Sequence, residues 1–114
     1  MLPTSQRLNL KKDFKWVASG RKIETKFIKL FVKHGENDFP RIGIALSSKV
    51  FKKAIDRNRA KRLISQALQT TYYQLPTTIN IVALPKVGVI EVKSDEVLKD
   101  LEQVLRKERV ILSD

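Results

Sequence analysis

The sequence predicts a single α+β domain, an α/β sandwich built on a mixed sheet. Three observations predict it. The chain has 114 residues, which suits one domain of ordinary size. Two stretches, 26–33 and 41–47, alternate apolar and polar residues with the period of a strand. A long helical stripe over 52–71 then separates them from a strand-like run at 79–84, which implies a βαβ crossover within the sheet. With a helix at each end, the expected order is α–β–β–α–β–α.

Each element has its own signal. Residues 1–10 (MLPTSQRLNL) are mostly polar and read as an N-terminal arm. Over 11–19, Phe14, Val17 and Ala18 recur at helical spacing and Gly20 marks the stop. In KFIKLFVK (26–33), Phe27, Lys29, Phe31 and Lys33 share one strand face, and Ile28, Leu30 and Val32 form an apolar core face on the other. HGENDFP (34–40) is rich in turn formers, which makes His34 an exposed loop residue. RIGIALS (41–47) puts Ile42, Ile44 and Leu46 on one side.

Over 52–71, Ala60, Leu63, Ile64, Ala67, Leu68 and Thr71 follow the spacing of a core-facing stripe, while Arg57, Asn58, Lys61, Arg62 and Ser65 take the opposite side. Pro76 and the two following threonines end the region, and INIVAL (79–84) is a short buried strand closed by Pro85. PKVGVIEV stays open between loop and strand. A last helix over 94–107 begins with a sequence resembling a capping box at Ser94, with Glu96 one residue early for it, and carries the stripe Val97, Leu98, Leu101, Val104 and Leu105. Residues 110–114 are expected to form a frayed tail.

Composition removes several classes of protein. Apolar residues are 42% of the chain, enough for one small core; a domain of this size buries only about 60–70% of its unfolded surface. No apolar run reaches the ~18 residues of a membrane helix, and residues 1–20 lack the apolar region and cleavage site of a signal peptide. A cytoplasmic protein is expected. With no cysteine and one histidine, thiol chemistry, thiolate metal sites and histidine clusters fall away.

The charge is unevenly placed. Lys and Arg number 23 against 12 Asp and Glu, a net +11. Residues 1–33 carry +7, 34–40 carry −2, 41–62 carry +7 and 63–114 carry −1, so the excess lies before Leu63. Solubility needs no such asymmetry. A concentrated positive field attracts polyanions through their phosphates and counterion release. Its centre is KVFKKAIDRNRAKR (49–62). There Arg57 with Lys61, and Asn58 with Arg62, are i, i+4 neighbours, Arg59 points to one side, and Lys49, Lys52 and Lys53 approach from the helix start. Asp56, the one acid, either orients an arginine or caps the helix. A solvated charged face is the bland reading, but 41–62 holds eight cations against one acid, and their repulsion favours a bound polyanion.

These residues resemble the protein subunit of bacterial ribonuclease P. The resemblance rests on Arg57-Asn58-Arg59-Ala60-Lys61-Arg62-Leu63-Ile64, on Pro40-Arg41-Ile42-Gly43-Ile44, on Ser48-Lys49, on Asp13-Phe14, on FIKLFV and on Ile79 to Leu84, and spans Arg7 to about Arg109. It implies a protein that binds a catalytic RNA through the helix bearing this Arg-Asn-Arg motif. That helix would lie in a left-handed βαβ crossover, against the usual hand. The RNA would hold the magnesium ions and hydrolyse precursor tRNA to release its 5′ leader, with no catalytic residue and no assigned metal ligand in the protein. The RNA-subunit contacts implied are Lys52, Lys53, Arg57, Asn58, Arg59, Lys61 and Arg62.

The leader would lie in a cleft against Phe14, Ala18, Phe27, Lys29, Phe31, Arg41 and Lys49. Rings beside cations suit a single strand of variable sequence. The competing reading makes the three phenylalanines core, but their alternation with Lys29 and Lys33 describes a half-wet face. Ala18 stands where the family often has a second aromatic, which leaves Trp16, of unassigned side, as the other ring. Ser48-Lys49 replaces a run of basic residues. Neither a membrane nor DNA is expected as a partner. The alternative is a ribosomal or other structural RNA-binding protein with no role in cleavage. A nuclease using its own side chains would need a carboxylate cluster, whereas Asp13, Glu24, Glu36, Asp38 and Asp56 lie far apart in sequence.

Overall fold

The computed structural model describes residues 6–111. Helix α1 (Leu10–Ala18) is followed by strands β1 (Arg21–Glu24), β2 (Ile28–His34) and β3 (Arg41–Ile44). Helix α2 (Ala54–Thr71), strand β4 (Ile79–Pro85) and helix α3 (Ser94–Lys107) complete the chain. Short 3-10 turns cover Tyr72–Gln74 and Val87–Glu91, and the second resolves the open PKVGVIEV stretch as neither extended loop nor strand.

The sheet order is β1-β2-β4-β3. β2 pairs antiparallel with both β1 and β4, while β3 and β4 run parallel and are joined through α2. That is the expected crossover in a mixed sheet. Burial follows the strand alternation: Ile28, Leu30 and Val32 pack with the buried face of α2 and with Val97, Leu101 and Leu105 of α3. The opposite face holds a smaller cluster under α1, built on Leu8, Val17 and Val82.

β1 has no counterpart in the sequence reading. Its four residues, RKIE, bury only Ile23, so no alternation shows. A tight hairpin pairs it with β2: Thr25 N–H donates to the Ile28 carbonyl at 2.8 Å, and the Thr25 hydroxyl accepts from the amides of Phe27 and Ile28. Gly20 leads into this strand at a position where any Cβ would run into the Val32 backbone carbonyl; its backbone angle is ordinary, so close approach is what requires glycine.

The arm is only partly separate from the fold. Residues 1–5 lie outside the described region, but Arg7 bridges to Ile42 alongside β3, and Leu8 is buried and donates its N–H to the Ile42 carbonyl at 2.9 Å. At the other end, the expected fray from residue 110 does not occur at Val110 and Ile111, which are both buried. Arg109 adopts a left-handed backbone (φ 60°) and reverses the chain, and the amides of Val110 and Arg109 bond the carbonyls of Leu105 and Arg106. This is a Schellman stop with arginine where glycine is usual, so the sequence carried no stop signal. Residues 112–114 lie outside the described region. The capping box does not form either: Lys93 is the N-cap, without a side-chain bond, and Ser94 is already helical.

Candidate nucleic-acid interface

Cross-strand register places Lys22, Phe31, Val82 and Gly43 in one row on the α1 face, flanked by a row of Lys33, Asn80 and Arg41 and a row of Glu24, Lys29 and Leu84. α1 lies over part of this face. Leu10 sits so close to Gly43 that a Cβ there would lie 2.6 Å from its Cδ2. At the other end of the helix, the Trp16 ring lies against Gly35. Phe14, Phe31, Ala45 and Leu84 remain half-buried around Val82. They form a half-buried apolar patch with Lys29 beside Leu84, and Ala18 sits one turn beyond Phe14, also half-buried.

The cleft set is thus only partly assembled. Phe14 and Phe31 come together. Phe27 does not join them: it belongs to the hairpin turn before β2, where the backbone is not extended, and its ring packs on the large core instead. Its amide donates to Asp100 Oδ2 of α3 at 3.1 Å. Arg41 stands in a separate polar hollow with Asp13, Trp16, Glu36, Asn37 and Asn80, its guanidinium 5.7 Å from the Phe39 ring centroid. Trp16 is therefore at this hollow, with Lys33 Nζ 5.1 Å from its ring. His34 is exposed as expected, at the end of β2, with Nδ1 2.8 Å from the Thr78 hydroxyl.

Sequence reasoning missed Leu84 and Ala45 of this patch, though alternation within INIVAL already puts Val82 and Leu84 on one side. Lys49 is exposed in the turn from β3 to α2, with its amide bonded to the Ser47 hydroxyl at 3.1 Å. Buried Phe51 anchors that turn.

α2 begins at Ala54, two residues later than expected, because Lys53 is the extended N-cap; Lys52 and Lys53 therefore flank the helix start. The whole core stripe from Ala60 to Thr71 is buried as read. Ser65 departs from the expected exposed face and is buried toward β3.

The cations fan out. Arg57 turns back to donate to the carbonyls of Phe51 (2.8 Å) and Lys52 (3.3 Å), and Arg59 donates to the Ile90 carbonyl (2.9 Å). Asn58, Lys61 and Arg62 are exposed. Asp56 neither caps the helix nor pairs with an arginine; it sits in the first turn, where the helix dipole favours an anion. Among the described residues, the ion pairs are Arg21–Glu108, Lys22–Glu24, Lys86–Glu24 and Arg106–Glu102, and none neutralises a cation of 49–62. The hydrogen bond from Lys86, and its charge, hold the Glu24 carboxyl below its usual range.

Among the described residues no three Asp, Glu or His side chains gather as a metal-binding group. No described helix is long and apolar enough to cross a membrane.

The fold and surface define a class: a small basic α+β domain with a cationic crossover helix and half-buried aromatic rings on the opposite face of its sheet. The ribonuclease P family model matches residues 2–109. A ribonuclease P protein component from Pseudanabaena is 32% identical over 113 residues, covering 97% of each chain. That of Pseudoalteromonas translucida is 35% identical over 83 residues, 73% of this chain but only 59% of that one. The ribonuclease P protein of Thermotoga maritima, solved with 1-(4-fluorophenyl)-2-thiourea, superposes with a TM-score of 0.77 at 25% identity over 89% of this chain and 98% of that one. The chain belongs to the ribonuclease P protein family.

Proposed function

We propose that this protein binds the catalytic RNA of ribonuclease P through the exposed face of α2 and the turn before it. The 5′ leader of precursor tRNA lies in the groove between α1 and the sheet. In this reading the protein assists endonucleolytic removal of the leader, which gives the mature tRNA 5′ end. The RNA performs the hydrolysis with its own magnesium ions, and protein side chains supply position and charge.

The observation that carries the reading is a division of labour on the surface. Cations of 49–62 have no acidic partner among the described residues, which suits them to phosphates. Half-buried Phe14 and Phe31 offer rings on the sheet face that also carries Lys29, which suits an unpaired strand of any sequence.

Turnover tests it. The purified protein, free of RNA, is expected to leave precursor tRNA intact. Added to a cognate catalytic RNA, it is expected to tighten substrate binding and lower the magnesium needed for cleavage. Cleavage by the RNA-free protein overturns the reading. No effect on a cognate RNA points instead to a structural RNA-binding protein.

A further inference from the structure

A pocket of about 160 Å³ opens where α2, the edge of β3 and the start of α1 meet. Its floor is apolar, from Leu10, Ile42 and Ile44, and its polar groups are Lys61 and Ser65, one helical turn apart on α2. Arg7 stands at the rim with contacts of its own.

The strand edge adds a donor. Leu8 N–H bonds the Ile42 carbonyl at 2.9 Å, so Ile42 turns its polar backbone groups toward the arm. The arm leaves the edge at Asn9, the N-cap of α1. Ala45 N–H bonds the Ala83 carbonyl of β4 at 2.9 Å, so by strand alternation Ile44, one residue before it, directs its amide to the outer edge of β3, beside the pocket. Lys61, Ser65 and the β3 edge thus line one opening over an aliphatic floor.

That combination matches one repeating chemistry, a ribose with its phosphate. The sugar lies on the apolar floor and the phosphate takes the donors. We propose that this pocket holds one ribose-phosphate unit of a bound RNA strand, with Lys61 and Ser65 as its phosphate contacts and Leu10 and Ile44 as its floor. The inference rests on the RNA-binding reading above and adds a specific seat between α2 and the sheet edge. Ser65 is then buried for a reason: it sits at the back of the pocket rather than on the open helix face.

The test uses the full chain, labelled with nitrogen-15 and titrated with single-stranded penta-uridine. The amides of Gly43, Ile44 and Ser65 are expected to shift. Lys61→Ala, at an exposed position that spares the fold, weakens those shifts with an affinity loss of about tenfold. Ser65→Val fills the pocket and removes them while the Arg62 amide still responds. If Arg59, Arg62 and Phe31 respond to penta-uridine but Ile44 and Ser65 stay fixed, the pocket is not a seat and the broader reading stands. If no amide moves, the RNA-binding reading fails and takes this one with it.

Ser65→Val in the assembled holoenzyme identifies the strand. Weaker binding of leader-bearing but not leaderless precursor assigns the pocket to the leader, and weaker assembly with the catalytic RNA alone assigns it to that RNA. No change in either measurement overturns the proposal.

Discussion

Asp100 Oδ2 accepts the backbone amide of Phe27 at 3.1 Å, and Oδ1 of the same carboxylate accepts that of Lys26 at 3.1 Å. One side chain of α3 thus ties down the β1–β2 turn, two strands away from β3 and the cationic helix start. Asp100→Ala leaves the Lys26 amide without its acceptor and the Phe27 amide with the Thr25 hydroxyl alone, and is expected to cost about 1–3 kcal/mol of stability. Urea unfolding should show this loss, with RNA affinity of the folded protein unchanged. Equal losses in stability and affinity would mean that the turn shapes the RNA surface after all.

The same tie separates two phenylalanines that alternation had grouped. Phe31→Ala is expected to weaken binding of leader-bearing precursor by about 1–3 kcal/mol, the contribution of one stacked base, and to leave leaderless tRNA unaffected. Phe27→Ala removes a half-buried ring packed against the large core. It should lower the unfolding midpoint without altering leader discrimination. Matched binding assays with the two RNAs decide between cleft and core for each ring.

Within the cationic motif, Arg57 and Arg62 should behave differently. Arg62 is exposed and unpaired by acids among the described residues. Arg62→Ala should therefore reduce the slope of log affinity against log salt by about 0.7–0.9 for each phosphate that it no longer neutralises, with stability unchanged. Arg57 also holds the Phe51 and Lys52 carbonyls. Arg57→Ala should add a stability loss of about 1–2 kcal/mol to its effect on RNA. Arg57→Lys, which keeps charge but loses the fork, should recover salt dependence better than stability.

Glu24 gives a pH signature. Its hydrogen bond from Lys86 (3.0 Å), with that ammonium's charge, lowers its carboxyl pKa in the folded chain. A folded-state pKa below the unfolded one stabilises the fold above the unfolded value. The contribution fades as pH falls through the folded pKa. The stability difference between the native chain and Glu24→Gln should therefore be constant above about pH 5 and shrink steadily in more acid solution. Thermal unfolding across that range checks it. A difference that grows on acidification contradicts the assignment.

Much of this was legible in one dimension because it depends on periodicity. The stripe from Ala60 to Thr71, the alternation of Ile28, Leu30 and Val32, and the bounds of α3 each follow from a repeat that one buried face imposes. The Arg-Asn-Arg motif and the concentration of charge before Leu63 were equally plain, since like charges close in sequence stay close in space. β1 was too short to repeat. The stop at Arg109 uses a left-handed residue that is not glycine, so it left no local trace.

What the sequence determined by itself is therefore an α+β crossover domain with a basic helix, and through its motif a family. Tertiary structure alone decided which side chains share a surface. It packed Phe27 against the large core and Phe14 with Phe31 around Val82, put Arg41 beside Trp16 and Phe39, and buried Ser65 next to the β3 edge. The reason is physical. Periodicity assigns a side chain to a face, but turns, caps and hydrogen bonds between distant residues, such as Asp100 with Phe27, decide where that face ends and what meets it.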